Sequence, residues 1–278
     1  MVKLIQIELF KIFSKPRTYI GFGAVLLIVS ALEVGLYFEG QQILDFAIQH
    51  LQESFILEGN LINGYLITHI ILNSLFIHIP FLIALVTGDL LAGEANSGTF
   101  RLLLTRPVSR TKLLSAKFIA GWIYMLMLIV FMFALSIGLG FLIFGSGDLI
   151  VLKGTINIFS ADDVMWRFLS AYAFGILTMT AVAALSFMLS AFASNSVGPI
   201  IGTVSIIIGI TIISTVGFSL MKPINPYLFT YYLTGWQMFF EETINTSKLS
   251  LAIAVEVIYI VMFLGITFFY FRKKDILS

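Results

Sequence analysis

Six long, mostly apolar stretches separated by short polar connections decide what this chain can become. A helix of about 20 apolar residues covers the ~30 Å hydrocarbon core of a bilayer, and a spanning helix satisfies its own backbone hydrogen bonds there. The stretches fall at about 18–38, 62–87, 117–144, 165–192, 197–219 and 250–271. The fourth and fifth meet at the polar turn Ala193-Ser194-Asn195-Ser196; without that turn they would form one run far too long for a single crossing. Of 278 residues, 59% are hydrophobic and 11% charged, against about a quarter charged in soluble domains. The expectation is an all-α integral membrane protein with a single membrane domain over 1–278. No small-residue cleavage pattern follows the first run and Glu33 interrupts it, so it reads as a retained span rather than a signal peptide. With no cysteine, disulfides and thiolate metal sites are excluded.

The basic residues give the orientation, because Lys and Arg favour cytoplasmic flanks. Lys3, Lys11, Lys15 and Arg17 precede the first span, and Arg101, Arg106, Arg110, Lys112 and Lys117 lie between the second and third. Arg272, Lys273 and Lys274 follow the sixth, making twelve of sixteen on one side. The opposite connections carry only Lys153, Arg167, Lys222 and Lys248, with acidic residues such as Glu39, Asp148, Asp162 and Glu241. Both termini are therefore expected in the cytoplasm.

Residues 1–16 are too polar to span. Val2, Ile5, Leu9, Ile12 and Phe13 recur at helical spacing, opposite Lys3, Glu8, Lys11, Ser14 and Lys15. This pattern predicts an amphipathic surface helix with its lysines toward anionic headgroups, ended by Pro16. On the other side of the membrane, apolar spacing over 43–57 predicts a short amphipathic helix. The aromatic-rich segment 226–240, with Tyr227, Phe229, Tyr231, Tyr232, Trp236, Phe239 and Phe240, suits an interfacial belt or a short helix dipping into the outer leaflet.

The connection 88–117 is the long polar connection that is predominantly basic. Gly88, Gly93 and Gly98 allow sharp turns at the end of the second span. Residues 99–106 can then form a short crosswise helix with Phe100, Leu103 and Leu104 on one face. Pro107 stops it, and Ser109 caps the helix that enters the third span. Read plainly, such a loop either fixes topology or receives force from a soluble partner.

Gly93-Glu94, Gly98-Thr99, Leu103-Leu104 and Pro107-Val108-Ser109-Arg110, with Lys117 shortly after, resemble the cytoplasmic signature of the type-two exporter permeases of ATP-binding-cassette transporters. The surface helix, six spans, internal termini and closing Phe271-Arg272-Lys273-Lys274-Asp275 look like the same family. The signature covers about 25 residues and the architecture the whole chain. The resemblance implies that Gly93, Glu94, Gly98, Thr99, Phe100, Arg101, Leu103, Leu104, Arg106, Pro107, Ser109 and Arg110 form the coupling region that meets a soluble ATPase subunit. Glu94 and the helix at 1–15 would lie at the same junction. Two permease copies, a homodimer in the simplest case, would pair with two ATPase subunits in a bacterial inner membrane. ATP and Mg would bind on the partner, since this chain has no Gly-x-x-x-x-Gly-Lys-Ser/Thr loop. The chain itself would bind no cofactor, carry no catalytic residue and contact no nucleic acid.

Two functions fit this resemblance. In the first, ATP-driven motion exports a hydrophobic or amphipathic substrate. In the second, the same motion acts on an extracytoplasmic accessory protein, as in the permease of nitrous-oxide reductase maturation, which the Gly93–Lys117 stretch also resembles. An intramembrane enzyme would need a reactive constellation such as Gly-x-Ser-x-Gly with a histidine at matching depth, and the spans hold none.

Ionisable residues inside a membrane are costly and need a reason. Glu33, His69 and Glu256 fall at comparable depth, roughly 10 Å below the outer surface at ~1.5 Å per residue. A glutamate hydrogen-bonded to His69 is one expectation; each carboxyl standing alone or facing a wet outer cavity is the other. His78 and Pro80 predict a bend in the second span. His69 and His78, nine residues apart, are too distant to share one metal ion, so no metal site is expected. Gly138, Gly140, Gly198, Gly202 and Gly209 read as close helix-packing positions.

Overall fold

The computed structural model describes residues 1–52, 61–99, 108–152, 156–216 and 221–273, with backbone alone over 45–52. Among the described residues, six helices are long and apolar enough to cross a membrane: Pro16–Leu44, Ile79–Asn96, Arg110–Phe144, Ala161–Phe192, Val197–Val216 and Thr246–Lys273. The molecule is a mainly helical, membrane-embedded bundle.

Helix α1 (Val2–Phe13) closes at Ser14 and lies against the start of the third span. Pro16, two residues past that cap, marks the boundary expected there. It opens α2, a first-turn position where proline's missing N–H costs nothing. Helix α2 (Pro16–Gln52) runs on as one 37-residue rod. The separate helix expected over 43–57 is thus the extension of the first span as far as Gln52, because neither proline nor a turn intervenes; residues 53–60 lie outside the described residues.

The second crossing is built in pieces: α3 (Gly64–Leu75), α4 (Ile79–Thr87) and α5 (Asp89–Asn96). The bend expected near His78 is a break over 76–78, with Pro80 in the first turn of α4. A second break falls at Gly88. Helix α6 (Arg110–Phe144) is 35 residues long, about 50 Å, and so projects well beyond a ~30 Å hydrocarbon core. Gly64 and Gly140 bring α3 and α6 into backbone contact: a methyl on Gly64 would sit 2.8 Å from the Gly140 carbonyl carbon. Gly138 and Gly209 have open space beside them and do no such packing.

An antiparallel hairpin follows, β1 (Leu149–Leu152) with β2 (Ile156–Phe159), Leu149 opposite Phe159. This short hairpin is set into a bundle that is otherwise helical, in keeping with the all-α expectation; short, β-branched, apolar runs pair as strands where no helical length is available. Helix α7 (Ala161–Phe192) and α8 (Val197–Val216) flank the polar turn at 193–196, and α9 (Thr246–Lys273) completes the bundle. Helix α7 is the central post, its small residues Ala181, Ala183, Ala184, Ser186 and Ser190 all buried. Its most extensive packing is against α9 and a long 3-10 helix, Phe229–Phe240.

That 3-10 helix overturns the aromatic-belt expectation. Phe229, Tyr232, Trp236, Phe239 and Phe240 are buried in the main core, while Tyr227 and Tyr231 remain exposed. Aromatic rings carry the largest apolar area, and here an inward groove beside α7 takes it. Arg167 fastens this end. Its guanidinium donates to Asp163 (2.8 Å) and to the carbonyls of Phe239 and Glu241 (2.9 and 3.0 Å), and lies 4.1 Å from the Phe159 ring centre.

Arg110 at the start of α6 donates to the carbonyls of Phe271 and Arg272 at the end of α9. Helix α1 also packs beside the start of α6. The beginning of the described chain and the end of α9 therefore share one basic end of the bundle. The hairpin and the 3-10 helix lie at the other.

Candidate functional site

At the basic end, four charged side chains close a ring between α1, α5 and α6. Lys117 Nζ donates to Glu8 Oε2 (2.8 Å) and Glu94 Oε1 (2.5 Å). Lys11 Nζ donates to Glu8 Oε1 (2.8 Å) and Glu94 Oε1 (2.9 Å). Each ammonium bridges both carboxylates. The side chain of Lys117 is 1% exposed and that of Glu8 5%, so these are buried ion pairs rather than surface decoration.

Helical geometry explains the clustering. Glu8, Lys11 and Ile12 share one stripe of α1 at i, i+3 and i+4, and that stripe faces α6. The expectation that Lys11 points to headgroups is therefore corrected. Lys117 sits two turns into an apolar helix and Glu94 ends an apolar crossing, so each needs an opposite charge, and α1 supplies both signs. Val2, Ile7 and Phe10, exposed on the other side of α1, are left as its apolar outer surface.

Charge sets the protonation of α1. Burial pushes the Glu8 carboxyl up, but the Lys117 charge and the hydrogen bonds from Lys11 and Lys117 outweigh it and leave it below its ordinary value. Burial likewise pulls the Lys11 ammonium down, yet its bonds to Glu8 and Glu94 carry it above. For Lys15 burial prevails, helped by the neighbouring Arg17 charge, and its value is lowered.

A second cluster adjoins the first. Asp89, the first residue of α5, is buried and accepts from Lys15 Nζ (2.8 Å), from the Arg17 guanidinium and from the Ser196 hydroxyl in the α7–α8 turn. Its carboxylate folds over Gly93 one turn along, where a methyl group would overlap it. Glycine at 93 therefore serves this close approach within α5, not the sharp turn expected of it. Gly98, with φ +67°, does make such a turn.

The break at Gly88 leaves the first amides of α5 without partners in their own helix. Ser190 of α7 meets them: its Oγ accepts from Leu91 N (3.1 Å) and Ala92 N (2.9 Å) and donates to the Gly88 carbonyl (2.6 Å). The arrangement has no nucleophile–base pair. It ties α1, α2, α5, α6, α7 and the α7–α8 turn at one point.

Of the residues singled out from sequence, Gly93 and Glu94 lie in this junction. Gly98 and Thr99 follow it directly, with Thr99 N bonded to the Glu94 carbonyl (3.1 Å). Ser109 caps α6, accepting from Lys112 N, and Arg110 ties α6 to α9. The crosswise helix expected over 99–106, with Phe100, Arg101, Leu103, Leu104, Arg106 and Pro107, lies outside the described residues. Asp89, Lys15, Arg17, Ser190 and Ser196 were not anticipated. Asp89 had a signal: an aspartate directly after Gly88 at the end of an apolar run.

The intramembrane residues do not form the pairing considered from sequence. The carboxylates of Glu33 and Glu256 are buried with no hydrogen-bond partner among the described residues. His69 instead turns its ring edgewise to Trp236 (5.6 Å between centroids) and Phe240 (4.9 Å), since the inward-packed 3-10 helix occupies that side. His78 Nδ1 lies 2.9 Å from the Ser74 carbonyl at the break before α4.

Comparison with known proteins gives a relative, the uncharacterized protein YhcI of Bacillus subtilis (strain 168), 29% identical over 204 residues. The aligned part is 69% of this chain and 63% of that protein, so the chain covers less than two thirds of the relative's length. Residues 25–277, from the first span to the end of the sixth, match the family described as "Protein of unknown function (DUF2705)", and the chain belongs to that family.

Proposed function

We propose that this chain is the membrane subunit through which a separate ATP-hydrolysing protein drives export of a hydrophobic or amphipathic substrate. The observation that carries this reading is the closed ring Glu8–Lys11–Glu94–Lys117. It joins a surface helix to the two spans on either side of the 100–107 segment, where the sequence resembles a coupling helix. A push on that segment from the cytoplasmic side would reach α5 and α6 together, and Ser190 would pass it to α7. In this reading a second copy of the chain completes the membrane part, and nucleotide and Mg are held by the partner.

The exposed hairpin residues Leu152 and Ile158 favour a second reading, in which the same motion acts on a protein at the opposite face. The test is co-expression with candidate ATP-binding-cassette ATPase subunits of the same organism, followed by affinity purification in lipid nanodiscs. The expected result is a stoichiometric complex whose ATP turnover falls at least fivefold with Glu94→Gln. A chain that transports at full rate without any ATPase refutes the proposal. A complex that hydrolyses ATP and retains an extracytoplasmic protein, without moving substrate, selects the second reading.

A further inference from the structure

A cavity of about 210 Å³ lies at the corner of α2, α3 and β1, far from the charge ring. Leu36 and Gly40 of α2 and Leu66 and Ile70 of α3 line it, and strand β1 closes one side. Among the described residues that line it, the imidazole of His69 is the single ionisable group. Ile43 and Leu152, which also line it, are 51% and 43% exposed, so the cavity reaches the surface. Beside it, Tyr37 and Phe38 are exposed on α2, and both precede the end of the first spanning segment at Leu44.

Three physical facts select the occupant. Water needs two to four polar partners to settle in a cavity, and the described lining, aliphatic apart from one imidazole, offers too few side-chain partners. An apolar void of this size, left unfilled, forfeits packing contacts on every wall. Leu36, Gly40 and Ile43 belong to Pro16–Leu44, a helix long and apolar enough to cross a membrane, and the medium beside such a helix is hydrocarbon. An apolar cavity of about 150 Å³ accommodates a six-carbon ring, so this one takes roughly eight methylene-sized groups.

We propose that the cavity binds one acyl chain, entered from the leaflet on the hairpin side. The site is independent of any ATPase partner. Gly40 is the smallest residue on the α2 wall: the three atoms nearest a Cβ there belong to Ile62, at 3.4 Å and 3.8 Å, and to its own helix's Leu36, all ordinary contacts, so a larger side chain projects into the space.

The test uses the full chain in nanodiscs with two photoreactive probes. One is a phosphatidylglycerol carrying a diazirine near the end of one acyl chain; the other is the corresponding diazirine fatty acid. Peptide mapping should place label on 36–44 and 61–70. Gly40→Leu, or independently Leu66→Trp from the α3 wall, should lower that labelling at least fivefold. Labelling of the exposed α8 residues Ile212 and Ile213 should not change. Thermal unfolding in lipid-free detergent checks folding, and both filled variants should melt no lower than the parent. Labelling by the phospholipid assigns the chain to a membrane lipid, and labelling by the fatty acid alone assigns it to a free chain. Absence of label from both probes, or equal labelling in parent and filled variants, overturns the proposal.

Discussion

Lys117→Met is the sharpest probe of the charge ring. The substitution keeps the length of the side chain but removes the ammonium that holds Glu8 at 2.8 Å and Glu94 at 2.5 Å. Two carboxylates then share Lys11 alone, and Glu8 is nearly inaccessible to water. Breaking a buried ion pair by removing one partner costs about 3–5 kcal/mol. Lys11 still neutralises one charge and is 37% exposed, which favours the low end, about 3 kcal/mol. For a chain of this size that lowers the thermal midpoint by roughly 6–12 °C. The double variant Glu8→Leu with Lys117→Met removes one charge of each sign and leaves the 2.9 Å pair between Lys11 and Glu94. It should recover most of the loss, because apolar replacement of a whole buried pair is near neutral. Intrinsic tryptophan fluorescence against temperature, in nanodiscs, gives all the midpoints needed. If Lys117→Met melts like the parent, or the double variant loses the sum of its singles, the ring is not an energetic unit.

Four further outcomes follow from the same geometry. Gly93→Ala drives a methyl into the Asp89 carboxylate and should cost about 1–3 kcal/mol, with Lys15 and Arg17 becoming more reactive to amine- and guanidine-directed reagents. Ser190→Ala orphans two buried amides and should cost about 2–4 kcal/mol, with faster hydrogen exchange confined to Leu91 and Ala92. Glu256→Leu removes a buried carboxyl without hydrogen-bond partners among the described residues and should stabilise the fold by about 1–2 kcal/mol, raising the midpoint; a lower midpoint contradicts the assignment. Glu8 titrates below its ordinary 4.5 and Lys11 above its ordinary 10.5, so their contribution is complete between those values. It is lost as pH falls through the depressed Glu8 value or rises through the elevated Lys11 value, and thermal midpoints from about pH 5.5 to 9 should show no step from α1.

The sequence made the spans legible because a twenty-residue apolar run has few alternatives in a bilayer. It also showed the cap at Ser109, the bend at Pro80 and the short α7–α8 turn, all set by local chemistry. What it concealed was direction. Glu8 and Lys11 stand on the polar side of a short amphipathic helix, and periodicity alone cannot distinguish headgroups from a buried carboxylate and ammonium 80 to 110 residues away. Trp236 and Phe240 had the composition of an interfacial belt, but the groove beside α7 took them inward. Asp89 was hidden because its three partners come from α1's trailing turn, the start of α2 and residue 196.

The hydroxyl at 190 has a consequence for how force can travel. At Gly88 the second crossing is interrupted, while one oxygen rivets the first turn of α5 sideways to the central post. A displacement arriving at α5 therefore need not climb its own span. It is handed across to α7, and through that helix to α9, so the motion to watch is a lateral sway of two neighbouring posts rather than a piston stroke of the one that was struck.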